Sequence, residues 1–121
     1  MKEISIKEFQ NVKIGNAENK IAGTGCTVFI FDEGASAGLS VRGGGAASRE
    51  TELLKPLAAA EKINAILLSG GSAFGLDCAG GVMKYLEERN IGFDVGVTKV
   101  PLVCQSCLFD LTLLARSLPL L

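Results

Sequence analysis

Ala65-Ile66-Leu67-Leu68-Ser69-Gly70-Gly71-Ser72-Ala73-Phe74-Gly75-Leu76-Asp77 is the stretch that decides the fold of this chain. The apolar run at residues 64–69 has the length of a strand that is buried on both faces. A glycine turn ends this run, and an apolar pattern with helical spacing follows over residues 72–89. This pattern predicts a helix whose buried face is formed by Leu76, Ala79, Met83 and Leu86. A strand, a turn and a helix in this order predict an α/β fold built from packed layers.

The segments before this stretch predict short strands and loops. Residues 4–14 are typical of a short strand or extended arm that ends at Gly15-Asn16. Residues 26–31 are rich in β-branched and aromatic side chains and predict a strand. A turn at Asp32-Glu33-Gly34 then predicts a hairpin whose second strand covers residues 35–41.

Short helical segments and a final strand complete the predicted elements. Thr51 is expected to cap a short helix through residues 52–54, and another helical turn is predicted at residues 57–62. Gly80 and Gly81 lie inside the main helix, where they are tolerable if another element packs closely there. A further strand runs through Val100, Leu102 and Val103. The apolar tail at 108–121 predicts one last helix, ended by Pro119. Either this helix needs a partner to bury it, or the segment is a tail that does not belong to the ancestral fold.

Composition limits the classes of function. The chain has 121 residues, enough for one small domain, and its formal net charge is −1. A near-balanced charge disfavours nucleic acid as a partner, and the tail is too short and interrupted to span a membrane. The chain contains no His, which excludes a Ser-His-Asp or Cys-His site made from these residues alone. A nucleophile here would need another base, such as a Lys or a free α-amino group.

The four cysteines predict buried thiols in a reducing compartment. Met1-Lys2-Glu3-Ile4-Ser5 leads into a mixed-charge segment and not into the apolar core of a secretory leader, so a cytoplasmic location is expected. Cys104 and Cys107 have the spacing of a redox or metal pair. Because neither a His nor a second such pair accompanies them, a packing role is favoured over a metal role. No metal and no cofactor are expected.

The glycine turn at 70–75 fits none of the common nucleotide or nucleophile motifs. Ser72 breaks a dinucleotide fingerprint, no Lys follows the last glycine as a phosphate-binding loop requires, and Phe74 breaks a nucleophile elbow. What remains is the geometry of backbone N–H groups at the start of a helix, which favours a carboxylate, a phosphate or a developing oxyanion. Alternatively, Ser72 is there as the residue that caps the helix.

A second glycine-rich segment at residues 42–51 has two interpretations. Successive glycines let backbone N–H groups point into one concavity that binds an anion. The plainer interpretation is a flexible connector between the hairpin and the next helix.

The motifs around the turn resemble a known enzyme family. The run Leu68-Ser69-Gly70-Gly71-Ser72-Ala73-Phe74-Gly75-Leu76-Asp77 is similar to that of the self-processing aminopeptidases of the DmpA type, the L-aminopeptidase/D-esterase family. Other blocks match in the same order, and the resemblance covers about residues 8 to 111. These blocks are Gly23-Thr24-Gly25-Cys26-Thr27-Val28, Val41-Arg42-Gly43-Gly44, Arg49-Glu50-Thr51-Glu52-Leu53-Leu54, Val100-Pro101-Leu102-Val103 and Leu108-Phe109-Asp110-Leu111.

This resemblance implies a layered αββα fold like that of the N-terminal-nucleophile hydrolases, related to the DmpA and ornithine acetyltransferase type. It also implies a longer precursor that cuts itself before a Ser or Thr, whose freed α-amino group then acts as the base. The two resulting chains assemble into a homo-oligomer. They remove N-terminal residues from peptides, amides or esters through an acyl-enzyme, a chemistry that needs no His.

On this resemblance, residues 1–111 are expected to be the N-terminal portion of one aminopeptidase-like domain, and residues 112–121 a divergent apolar tail. The nucleophile of the family lies downstream, in residues that this chain does not match, so no catalytic residue is assigned here and the chain alone is expected to be inactive. The missing downstream part, or a separate β chain, is the expected partner. The residues expected to line the substrate pocket are Gly70, Gly71, Ser72, Arg42, Gly43 and Gln105. The alternative function is a non-catalytic remnant that forms oligomers and binds a small anion at its glycine turns.

Overall fold

The computed structural model describes residues 2–115, which form a mixed α/β structure. Seven strands and two helices occur among these residues, together with 3₁₀ turns at Ile6–Glu8, Thr51–Leu54 and Ser72–Asp77. The strands are β1 Lys13–Asn19, β2 Thr24–Ala35, β3 Ser48–Arg49, β4 Ile63–Ser69, β5 Phe93–Asp94, β6 Lys99–Val100 and β7 Val103–Cys107. The helices are α1 Cys78–Glu87 and α2 Thr112–Ala115.

Five of the strands form one sheet in the order β1-β2-β4-β7-β3. β1, β2 and β4 pair in antiparallel fashion, whereas β4 and β7 are parallel. A parallel pair requires a long crossover connection. Here the crossover contains the Ser72–Asp77 turn, α1 and a two-stranded ribbon of β5 and β6. The predicted strand at residues 64–69 is confirmed, and the structure places it at the centre of this sheet.

The core lies between one face of this sheet and α1. Strand positions two residues apart point to the same face, and Ala65, Leu67 and Val103 all point toward the helix. From α1, Ala79 and Leu86 meet them, and both are fully buried. Burial of a large apolar side chain such as Leu67 or Leu86 contributes roughly 1.5–3 kcal/mol, so these contacts hold α1 on the sheet.

The opposite face of β4 is less covered than its sequence predicts. Leu68 is 45% exposed and Ile66 is partly exposed. The expectation that this strand is buried on both faces therefore holds at Asn64 on this second face and is wrong at Leu68.

The predicted hairpin at residues 26–41 is wrong. β2 continues through Asp32-Glu33-Gly34 as far as Ala35, because a shift in register between Ile30 and Ala35 lets the strand keep its pairing with β4. Gly34 absorbs the irregularity at a φ of +74°. The true hairpin joins β2 to β1, and β1 runs on through Gly15-Asn16, where a break was predicted. Residues 36–41 contain no strand.

The predicted helix over residues 72–89 is divided in two. Residues 72–77 form a 3₁₀ turn, and α1 begins only at Cys78. The buried face is confirmed for Ala79 and Leu86, with Met83 packed against the core. Gly80 and Gly81 are exposed, and the space around their α-carbons is open. The expected close neighbour is therefore not among residues 2–115.

The remaining elements differ in detail from their predictions. Residues 51–54 form a 3₁₀ turn, but Thr51 does not cap it, since the preceding Glu50 has a φ of 59° and no side-chain cap is made. Residues 57–62 are turns and bends, not a helix. Pro101 separates β6 from β7 where one strand was predicted. Within the tail, residues 112–115 form α2, while the predicted end of the last helix at Pro119 lies outside the described residues. No helix within residues 2–115 is long and apolar enough to cross a membrane.

Candidate functional site

The turn at Gly70–Ser72 lies at the carboxyl ends of the parallel strands β4 and β7, where ligands commonly bind in α/β sheets. Each of its backbone N–H groups already donates a hydrogen bond. Gly70 donates to the Gly25 carbonyl at 2.9 Å, and Ser72 donates to the Leu108 carbonyl at 2.8 Å. Gly71 donates to Oδ1 of Asp110 at 2.7 Å. The predicted anion site at this turn is therefore filled by groups of the chain itself.

Asp110 is the carboxylate that occupies the turn. Its Oδ1 accepts the Gly71 N–H, and its Oδ2 accepts the Thr24 hydroxyl at 2.7 Å. The Thr24 hydroxyl first, and the Gly71 N–H second, lower the pKa of Asp110 below its ordinary range, because both stabilise the ionised form. One carboxylate thus ties together three segments that are distant in the sequence.

Two glycines of the turn are required because the backbone comes too close for a side chain. A Cβ on Gly70 would overlap both Oδ2 of Asp110 and the Thr24 hydroxyl oxygen. A Cβ on Gly75 would overlap the carbonyl oxygen of Gly70. The glycines that the sequence presents as a ligand-binding loop therefore serve, first of all, to admit the chain's own carboxylate and to close the turn on itself.

A second polar cluster supports the turn from the side of the sheet. The Gly75 carbonyl accepts a hydrogen bond from Nε2 of Gln105 at 2.7 Å and a longer one from the Ser69 hydroxyl at 3.4 Å. It also accepts the backbone N–H of Cys78, at the start of α1. Nε2 of Gln105 also donates to Oγ of Ser69 at 2.8 Å. Both side chains are 2% exposed, so this cluster fixes the backbone of the turn relative to β4 and β7.

Among residues 2–115, only the nitrogen atom of the Gln105 side-chain amide makes hydrogen bonds. Its Oε1 atom is buried and has no hydrogen-bond partner among the described residues. A buried acceptor left unpaired costs about 1–3 kcal/mol. The hydrogen bonds that Nε2 donates to Ser69, to the Gly75 carbonyl and to the Cys107 sulfur must therefore outweigh this penalty.

An open cleft of about 830 Å³ lies beside the turn. Asp110 and Gly70 form part of its wall, and the β1–β2 hairpin forms another part. Glu18 and Lys20, an ion pair with an N–O distance of 3.3 Å, lie at its edge. The rest of its lining is Asn16, Ala17, Asn19, Gly23, Thr24, Gly25, Cys26, Thr27, Leu68, Ser69, Leu108 and Leu113.

The structure separates the residues that were predicted to line a pocket. Gly70 lies on the cleft, and Gly71 and Ser72 continue the same turn. Ser72 has a φ of 54° and makes no side-chain cap, since the residue before the 3₁₀ turn is Gly71. Its predicted role as a helix cap is therefore wrong.

Gln105, Arg42 and Gly43 lie away from the cleft lining. Gln105 is buried beneath the turn, and its predicted contact with substrate stays untested. Arg42 and Gly43 lie in an exposed loop, where Nε of Arg42 donates to the Ser40 hydroxyl at 3.4 Å. The contacts described for residues 2–115 do not join this loop segment to the glycine turn, and its substrate role also stays a prediction.

Sequence reasoning missed Thr24 and Asp110 as residues of the site. Both lie in blocks that carry the family resemblance, Gly23-Thr24-Gly25 and Leu108-Phe109-Asp110-Leu111. Those blocks were the available signal, but a sequence pattern does not say that they meet. The meeting depends on the parallel pairing of β4 and β7, which brings Leu108 beside Ser69.

Comparison with known proteins defines the class to which this fold and turn belong. The profile of Peptidase family S58 matches residues 5–117, and the chain is a member of that family. An uncharacterized aminopeptidase of Mycobacterium tuberculosis is 44% identical over 89 residues, which cover 72% of this chain and 25% of the relative.

Two further relatives extend the comparison. An uncharacterized aminopeptidase of Mycobacterium leprae is 41% identical over 88 residues, covering 73% of this chain and 24% of the relative. A 6-aminohexanoate-oligomer endohydrolase of Kocuria sp. is 31% identical over 111 residues, covering 91% of this chain and 28% of the relative. The chain therefore spans about a quarter of the length of these curated relatives.

Replacing Gly70 with Ala is expected to destabilise the fold by about 1–3 kcal/mol, because the new methyl group overlaps Asp110 and Thr24. Gly80→Ala is the matched control. Nothing lies within 4 Å of the position of its added Cβ, and a helical Gly→Ala change gains up to about 1 kcal/mol. Urea unfolding of both variants measures the difference. Equal stability of the two variants would show that the carboxylate does not fill the turn.

Asp110→Asn is expected to lower stability at neutral pH, with a loss that shrinks in acid. The folded-state pKa of Asp110 is lowered, so its contribution is present above the unfolded-state pKa and is lost as pH falls through the folded value, below about 4. Urea midpoints of parent and variant at a series of pH values measure this convergence. Glu87→Gln, at the exposed end of α1, controls for the loss of one negative charge. A parent–variant gap that does not change with pH would contradict the assignment.

Gln105→Glu is expected to be stable only in acid. An ionised Glu has no proton to donate to the Gly75 carbonyl, whereas a protonated one has. Burial beside that carbonyl raises the folded-state pKa of the new carboxyl, so destabilisation begins above the unfolded pKa of about 4.3 and grows as pH rises. Thermal unfolding at several pH values tests this. Gln105→Met, which cannot titrate, should be destabilised equally at every pH, and the same flat profile in Gln105→Glu would rule out the hydrogen bond as the cause.

Proposed function

We propose that this chain is the N-terminal part of an aminopeptidase-like hydrolase that removes N-terminal residues from peptides, amides or esters. The glycine turn and the Asp110 carboxylate form one wall of its substrate pocket. The nucleophile is an N-terminal Ser or Thr, released by self-cleavage, in the part of the longer family members that this chain does not span. The complete protein has the layered αββα fold and works as a cytoplasmic homo-oligomer.

The observation that carries this proposal is the position of the Asp110 carboxylate at the wall of the cleft. Its partners, the Thr24 hydroxyl and the Gly71 N–H, are both neutral donors. They favour the ionised carboxylate without cancelling its charge. A negative charge held at the edge of an open cleft attracts an ammonium group. This favours a substrate with a free α-amino group, as an aminopeptidase requires.

Ser69, which directly precedes the turn, is a poor candidate for the nucleophile. The Ser69 side chain is 2% exposed and is engaged with Gln105 and the Gly75 carbonyl. A serine nucleophile needs an adjacent base, and the chain has no His. Membership of Peptidase family S58, together with coverage of only a quarter of the relatives, supports a nucleophile outside these residues.

Hydrolysis of alanine p-nitroanilide tests both the location of the nucleophile and the role of Asp110. The 121-residue chain alone should not hydrolyse alanine p-nitroanilide. The chain mixed with the remaining three quarters of the Mycobacterium tuberculosis relative should recover turnover. In that complex Asp110→Asn should raise KM more than it lowers kcat, because the lost charge serves binding of the substrate ammonium and not the bond-breaking step.

N-acetyl-alanine p-nitroanilide is the matched control substrate, since acetylation removes the ammonium and keeps the scissile bond. It should not be hydrolysed at a measurable rate. Turnover by the chain alone would contradict the proposed location of the nucleophile. Equal turnover of the two substrates would contradict the proposed role of Asp110.

A further inference from the structure

One face of α1 lies over β2. Gly81, Val82 and Tyr85 line an open groove of about 320 Å³ together with Val28 and Ile30 of β2. Positions three, four and seven residues apart share one face of a helix. Cys78, the first residue of α1, precedes Gly81, Val82 and Tyr85 by three, four and seven residues. It therefore lies on the helical face that is directed toward β2.

Cys26 lies at the matching end of β2. It pairs with Ser69, the last residue of β4, while Val28 pairs with Leu67 one step further into the sheet. Cys26 and Val28 are two residues apart and point to the same face, and both pack against the core cluster under α1. The helix begins at this end of the sheet, because the Cys78 N–H donates to the Gly75 carbonyl that Gln105 holds. The start of α1 thus lies over Ser69 and Gln105, and Cys78, on the helical face toward β2, lies on the side of Cys26.

The thiols of Cys78 and Cys26 differ in their exposure to solvent. Cys78 is exposed, whereas Cys26 is partly buried. The pKa of the Cys78 thiol is raised, first by burial, then by the neighbouring Cys26 and Cys107 thiols and by Asp77. Cys26 and Cys107 both influence this pKa, as expected for two thiols on the sheet face that α1 covers.

Cys107 and Cys104 occupy different surroundings. Cys107 lies on β7, on the other side of β4, with its sulfur 3.1 Å from the Ser69 hydroxyl. Cys104 is buried, and its sulfur donates to the Glu50 carbonyl at 3.4 Å. Cys104 and Cys107 are three residues apart on one strand and so point to opposite faces. The pair suggested by sequence spacing is thus split. Cys107 shares the helix-facing side of the sheet with Cys26, because both pair with Ser69, but its sulfur already contacts the Ser69 hydroxyl at 3.1 Å and Nε2 of Gln105 at 3.5 Å.

We propose that Cys26 and Cys78 form a redox-sensitive dithiol that a low-molecular-weight disulfide such as glutathione disulfide oxidises to a disulfide bond between β2 and α1. The exposed Cys78 thiolate attacks one sulfur of glutathione disulfide, which forms a mixed disulfide and releases one glutathione. The Cys26 thiolate then attacks the sulfur of Cys78 and releases the second glutathione. The two protein thiols lose two electrons and two protons, and glutathione disulfide gains both as two thiols.

A disulfide bond between Cys26 and Cys78 would restrict the glycine turn of the candidate site. Cys26 follows Gly25, whose carbonyl accepts the Gly70 N–H at 2.9 Å. Cys78 lies at the other end of the glycine turn, after the 3₁₀ segment. A covalent link between them closes a loop around the turn and restricts its motion relative to β2.

Incubation of the fully reduced 121-residue chain with glutathione disulfide tests the proposal. Intact mass spectrometry should show a monomer that has lost two hydrogens, and a non-reduced peptide map should join the peptide with Cys26 to the peptide with Cys78. Cys26→Ser should instead accumulate a stable glutathione adduct on Cys78. Cys104→Ser, the matched control on the opposite face, should form the same link as the parent.

The peptide map of the parent chain decides the question even if a variant fails to fold. A link from Cys78 to Cys107, a disulfide-linked dimer, a lasting glutathione adduct on Cys78 of the parent, or no modification at all would each overturn the proposal.

Discussion

The structure depends on one carboxylate that fills a glycine turn. Asp110 accepts the Gly71 N–H and the Thr24 hydroxyl at 2.7 Å each, and so joins the start of β2, the end of β4 and the segment after β7. The turn has the geometry of an anion site, and the chain provides the anion. The parallel strands β4 and β7 are held at their carboxyl ends by this contact, and the open cleft lies directly beside it.

Close approach of backbone segments explains the composition of the turn. Gly70 leaves room for Asp110 and Thr24, and Gly75 leaves room for the Gly70 carbonyl. Gln105 supports the same turn from below through the Gly75 carbonyl, at the cost of a buried Oε1 without a partner among the described residues. A glycine-rich sequence before a helix therefore has a packing function here in addition to any contact with a ligand.

The local predictions succeeded where one segment decides its own structure. The central strand, the strand at residues 26–31 and the buried positions Ala79 and Leu86 follow from periodicity. The hairpin prediction was wrong because the chain does not turn at Asp32-Glu33-Gly34. A shift in register lets β2 stay paired with β4 beyond this segment. The prediction that Ser72 caps the helix was wrong because tertiary hydrogen bonds hold its backbone in a turn with a φ of 54°.

By itself, the amino-acid sequence determined the strand, the glycine turn, the helical face and, through its ordered motifs, the resemblance to the aminopeptidase family. Only the tertiary structure decided what the turn binds and which cysteines are neighbours. Asp110 lies 39 residues from Gly71 and 86 from Thr24, and Cys26 and Cys78 come from different layers. Periodicity reports which face of an element is buried, but it carries no information about which distant segment will cover that face. That choice follows from strand register and from the crossover that makes β4 and β7 parallel.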